Sequence, residues 1–240
     1  MVSACTPAGT RPMSRTETRT NDVAIANLRL GTAYMEQGDY EKSLEKLEKA
    51  LRADPDYYAT LNVLGILHQR MGRNEDAERY FKRALSKYPN DSPTLNNYGQ
   101  FLCATGRLDE AENSFIKAAE NPLYDSPQIA YTNAGLCALK NDRREQAEDY
   151  FRKALEKEPQ MALALINLSE INLENGNHLS ARAYLQRYSE SGSHNPRSLW
   201  LGVRIERALG DRDAEASYAL LLKNNFPDSR EAQLLRQSTL

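Results

Sequence analysis

The sequence has few of the residues from which reactive sites are built. Its three cysteines, Cys5, Cys103 and Cys137, form no CxxC pair and no metal-ligand spacing. Its three histidines, His68, His178 and His194, stand far apart and read as surface or packing residues. There is no excess of positive charge: 31 basic residues face 33 acidic ones, which argues against a phosphate-binding face and a nucleic-acid partner. No stretch is long and apolar enough to cross a bilayer as a helix. GxSxG, Walker, HExxH and dinucleotide-turn motifs are missing, so no familiar catalytic constellation is present.

What the chain does have is ordinary folded-protein composition, 40% hydrophobic and 27% charged. Mixed-sign runs such as Glu41-Lys42 and Glu45-Lys46 read as solvated helix faces. The dominant signal is an internal period. Gly31, Gly65 and Gly99 are 34 residues apart; Gly135 follows after 36, and Ser169 after another 34. A second small residue recurs downstream: Ser43, Ala77, Ala111, Ala147 and Ala181. Four positions later come Leu47, Phe81, Phe115, Phe151 and Leu185, and then Ala50, Ala84, Ala118, Ala154 and Tyr188. Small residues facing one another let two helix axes approach closely, and the bulky residue fills space toward the next unit. The pairs Gly38-Asp39, Gly72-Arg73, Gly106-Arg107, Asn141-Asp142 and Gly176-Asn177 predict helix-ending turns, and Pro55, Pro89 and Pro159 close units.

This pattern resembles the tetratricopeptide family, most fully at 24–57 with Leu30-Gly31, Tyr34, Gly38-Asp39-Tyr40, Leu47, Ala50 and Pro55. Further units are placed at 58–91, 92–127, 128–161, 162–195 and 196–229. The resemblance implies an all-α fold: a right-handed superhelical solenoid of about six helix-turn-helix repeats with a C-terminal capping helix at 230–240. The domain runs from 23 to 240. In unit six a one-residue slip brings Gly202, Ala214 and Tyr218 into the small and bulky positions. The loop Asn121 to Pro127 carries two extra residues and predicts an opened joint between units three and four. Cys103 and Cys137 fall on different faces of their helices, which predicts two buried thiols.

Residues 6–22 show no apolar period and predict a flexible tether. Before them, Val2-Ser3-Ala4-Cys5 resembles a bacterial lipobox, with Cys5 the lipidation site and residues 1–22 a truncated signal plus tether.

Two segments resemble a narrower group, the PilF/PilW type IV pilus biogenesis lipoproteins, or pilotins. They are Leu95-Asn96-Asn97-Tyr98-Gly99-Gln100-Phe101-Leu102, and Asn195 to Ile205 with Gly210 to Tyr218. The resemblance implies a non-catalytic scaffold on the periplasmic face of the outer membrane. Its partners would be subunits of the pilus secretin, whose localisation and multimerisation it assists. It implies no cofactor, no metal and no small-molecule substrate. First-helix side chains pointing away from the second helix form the expected groove: Asn62, Ile66, Gln69, Asn96, Gln100, Thr132, Leu136, Arg197 and Arg204. Their amides suit the backbone of an extended peptide. The alternatives are an adaptor in another envelope complex, for peptidoglycan or lipopolysaccharide, and a cytosolic adaptor with a carboxylate clamp. Leu28, Thr32, Val63 and Pro93 occupy clamp positions and weaken the last reading.

Overall fold

The computed structural model describes residues 15–190 and 194–238. Among these residues there are thirteen helices and no strand. They are α1 (Arg15–Glu36), α2 (Tyr40–Ala53), α3 (Tyr58–Arg70), α4 (Asn74–Lys87), α5 (Ser92–Ala104), α6 (Leu108–Ala119), α7 (Pro127–Lys140), α8 (Arg144–Lys157), α9 (Ala162–Glu174), α10 (His178–Glu190), α11 (Pro196–Leu209), α12 (Arg212–Asn225) and α13 (Arg230–Ser238). The chain divides into two compact units, the first ending at Phe101 and the second beginning at Leu102, inside α5.

The turn within each hairpin follows from one residue. Gly72 takes φ +72°, so the Arg73 N–H reaches back to the His68 carbonyl at 2.8 Å and closes the α3 terminus. The next residue already caps the second helix. Asp39 accepts from the Lys42 N–H at 3.1 Å, and Asp211 from the Ala214 N–H at 3.1 Å. In the fourth repeat the left-handed position falls on Asp142, φ 58°, rather than on Asn141. Helices α2 and α8 end where the following proline forbids helix: Asp54 and Glu158, before Pro55 and Pro159, are extended.

Within a hairpin the axes meet at the small residues. A Cβ added to Gly65 would lie 2.7 Å from the Phe81 ring, and one at Gly135 2.7 Å from the Phe151 ring. Where serine takes a small position its hydroxyl is used. Ser43 donates to the Gly31 carbonyl at 2.8 Å, and Ser169 to the Ala181 carbonyl at 2.8 Å. A buried hydroxyl thus finds a partner without adding bulk. Phe81, Phe115 and Phe151 are fully buried, so the bulky positions form the core of the repeats.

Unit six combines two registers. Gly202 meets the Tyr218 ring, as the slipped register predicts. The turn glycine, Gly210, then comes eight positions after Gly202, against seven from Gly65 to Gly72. At its end α13 packs on α11 and α12 and buries Ala232 and Leu235 with Leu199, Val203 and Leu222. Trp200 packs on this cluster at the cap.

Three expectations need correction. Helix α1 begins at Arg15, within the stretch 15–22 expected to be tether. The loop after α6 does not open its joint: α6 packs on α7, and Asn121 organises the loop by accepting from the Leu123 N–H at 3.0 Å. Cys103 and Cys137 are joined in a disulfide, with Cα atoms 6.0 Å apart. Their different helix faces are what the bond requires. Cys103 looks forward from its helix, Cys137 looks back from the next, and the two meet at the joint.

Candidate protein-binding site

The residues expected to line a groove fall in both units. In the first, α3 carries Asn62, Ile66 and Gln69, all half-buried. Asn62 accepts a hydrogen bond from Asn97 Nδ2 at 3.1 Å, so its amide ties α3 to α5. Ile66 packs on the cluster of Met35, Leu47, Leu64 and Leu67. Asn96 is buried and Gln100 is exposed. Tyr98 is buried against Phe81 and Phe101 and donates its hydroxyl to Glu78 at 3.2 Å.

In the second unit Thr132 is 1% exposed and donates to the Gln128 carbonyl at 2.7 Å, so it presents nothing to a ligand. A threonine hydroxyl in a helix turns back on its own backbone. Leu136 is half-buried. Arg197 donates to Asn167 Oδ1 at 3.0 Å and to the Glu170 carboxylate, and Arg204 stands 3.9 Å from Glu170. Leu139, Asn167, Glu170, Glu174 and Arg197 contribute to the lining of an open hollow of about 160 Å³. Cys5 lies outside the described residues.

Sequence reasoning missed an apolar face in the first unit. Val23, Ala26, Leu30 and Ala33 recur at helical spacing along α1 and are all exposed, Leu30 by 49%. One repeat later the residues matching Ala26, Leu30 and Ala33 are Thr60, Leu64 and Leu67, each 0% exposed. These positions serve the joint with a preceding hairpin, and in α1 they stay open. The signal was present in the alternation of α1, but a period search reads what repeats share and not what the first one leaves uncovered.

Tetratricopeptide-repeat family models match residues 22–90, 68–122 and 132–196. The crystal structure of PilW, described as a widely conserved type IV pilus biogenesis factor, is 32% identical, with a TM-score of 0.78 over 90% of this chain and 99% of PilW. The chain belongs to the tetratricopeptide-repeat family of PilF and PilW. The type IV pilus assembly protein PilF of Pseudomonas aeruginosa is 29% identical over 232 residues, 97% of this chain and 92% of PilF. A structure of that PilF superimposes with a TM-score of 0.81, covering 92% of this chain and 99% of the chain in that structure, at 29% identity. YrrB, described as a TPR protein with an unusual peptide-binding site, shares the fold alone: 14% identity, TM-score 0.62, over 80% of this chain and 97% of YrrB.

Proposed function

We propose that this PilF/PilW-family protein is a lipid-anchored periplasmic scaffold, a pilotin that binds subunits of the type IV pilus secretin and assists their outer-membrane localisation and multimerisation. The observation that carries the reading is likeness along nearly the whole chain to two factors of type IV pilus biogenesis. Two features of the molecule support it. The Cys103–Cys137 disulfide suits an oxidising compartment such as the periplasm, since reducing cytosol keeps thiols apart. The exposed apolar face of α1 offers a second protein somewhere to bury nonpolar surface, worth about 25 cal/mol per Å². The lipid would be carried by Cys5, and two or more acyl chains give stable anchoring.

The test is a deletion strain complemented with the wild-type gene, with Leu30→Asp and with Cys5→Ser. Immunoblots of secretin multimers and counts of surface pili read the outcome. Wild type restores both. Leu30→Asp restores fewer multimers, and Cys5→Ser leaves the protein unlabelled by a palmitate analogue and lost from the outer membrane. A deletion strain with normal secretin multimers overturns the reading.

A further inference from the structure

The second helix of the last repeat departs from the others on its outer side. Two residues after the bulky position, the first five second helices carry a cation: Lys49, Arg83, Lys117, Lys153 and Arg187. In α12 that place, two residues after Tyr218, is held by Leu220, which is 59% exposed. Two residues before the bulky position stand Glu45, Arg79, Asn113 and Asp149 in the first four repeats, and in the sixth an exposed Ala216. Leu221, 42% exposed, borders the same side. Helix α13 covers the end of the array through Ala232 and Leu235 and leaves this side of α12 open.

The charges on either side of the apolar pair matter as much. Asp213, Ala216, Leu220 and Lys223 follow one another at spacings of three, four and three, so they form one stripe along α12. All four are exposed. Among the described residues, neither the Asp213 carboxylate nor the Lys223 ammonium has an ion pair. This stripe is its own complement when read backwards. Turned about a two-fold axis beside Ser217, a second α12 sets Lys223 opposite Asp213 and Leu220 opposite Ala216, and each pairing occurs twice. The leucine has room because a small side chain lies across from it. Ser217 donates to the Asp213 carbonyl at 2.8 Å, so the axis carries no orphan hydroxyl. Antiparallel helices also set each terminus beside the opposite partial charge.

We propose that the outer face of α12 is a contact between two copies of this chain, paired through antiparallel α12 helices about a two-fold axis. Helix α12 has 14 residues and is about 21 Å long, so the contact is smaller than the ~1,200 Å² of a standard interface, and the pairing is weak and concentration-dependent. It needs no partner but this chain, and it stands apart from the pilus reading. Where each copy carries a partner protein, the pair holds two of them side by side.

The test is sedimentation equilibrium of the full chain, with free thiols alkylated, from micromolar to near-millimolar concentration. The weight-average mass rises from 27.1 kDa toward twice that value. Leu220→Lys, which restores the residue type of the other repeats, weakens association at least tenfold and leaves circular dichroism unchanged. Asp213→Lys or Lys223→Asp alone weakens it at least threefold, and the two together return it to the wild-type value. Leu30→Asp, on the exposed face of α1, leaves it unchanged. Oxidation of single cysteines, in a Cys5→Ser chain, reads the direction of pairing. At 1.5 Å per residue, the two copies of Ser217 lie about 3 Å apart along the helices and the two copies of Asn224 about 18 Å. Ser217→Cys therefore gives a cross-linked dimer and Asn224→Cys does not. A chain that stays monomeric throughout overturns the proposal. So does a dimer that survives Leu220→Lys, one that Leu30→Asp abolishes, or equal cross-linking at both positions, which means parallel pairing. Secretin multimers enter none of these readouts, so this inference and the pilus reading fail separately.

Discussion

Replacing Gly135 by alanine tests the physical claim on which the fold depends, that the hairpins close only because the small positions are small. A Cβ on Gly135 would sit 2.7, 2.9 and 2.9 Å from three atoms of the Phe151 ring. Phe151 is 0% exposed, so the ring has no room to swing aside and the two helices must separate by several tenths of an ångström. Overpacking of this kind costs about 1–3 kcal/mol. Against it, alanine gains about 1 kcal/mol of helix propensity over glycine. The net is a loss centred on about 1 kcal/mol and at most about 2 kcal/mol, or a fall of roughly 2–4 °C in Tm at the central value for a chain of this size. Urea and thermal unfolding followed at 222 nm measure it, and Phe151→Leu supplies the control. If the clash is the cause, Gly135→Ala added to the Phe151→Leu chain loses its penalty, giving a coupling of at least about 1 kcal/mol. A Gly135→Ala chain as stable as wild type or more so, or additive single and double changes, refutes the reasoning.

The disulfide and a buried histidine yield two further expectations. Cys103 and Cys137 are 34 residues apart, and closing a loop of that length restrains the unfolded chain by about 4 kcal/mol, so dithiothreitol or Cys103→Ser with Cys137→Ser should lower the unfolding midpoint by an amount bounded by that figure. Identical melts with and without reductant contradict it. His68 is 5% exposed and stacks on Tyr80, and neither ring nitrogen has a hydrogen-bond partner. Burial is the chief cause that holds its pKa below the ordinary 6.5, while the Asp76 carboxylate at 3.5 Å pulls the other way. Above pH 6.5 both folded and unfolded forms are neutral; as pH falls through 6.5 toward the lowered folded value, the unfolded chain takes the proton first and stability is lost. His68→Phe should flatten that fall in Tm between pH 7.5 and 5, leaving the share of His194, which burial also depresses.

What could be read from the sequence was whatever each repeat must do alike. The constraint that joins Gly65 to Phe81 acts within one hairpin, between residues at fixed separation, and so it returns every 34 residues as a visible period. The same holds for the capping helix, since a last apolar face must be covered. Contacts that cross from one hairpin to the next are set by helix rotation, and composition shows them poorly. Arg83 donates to the Pro55 carbonyl at 2.7 Å, and Arg187 to the Pro159 carbonyl at 2.8 Å, both 28 positions apart, yet an arginine on a second helix looks like any solvated charge. Arg182, clamped on the buried Glu206, escaped for the same reason. The expected groove suffered most from this. Counting places Thr132 on a first helix, but only packing shows that its place is buried, as it is again at Ile166 one repeat later. The disulfide shows the rule from the other side. Two cysteines on opposite faces of their own helices look unpaired when each helix is read alone, and they become partners once the joint between hairpins is taken as the place where those faces meet. In a repeat array, then, period specifies the hairpin and departures from period specify the binding surface. The residues to mutate for function are therefore those, such as Leu30, exposed where Leu64 one repeat later is buried, whose surroundings the repeat does not dictate.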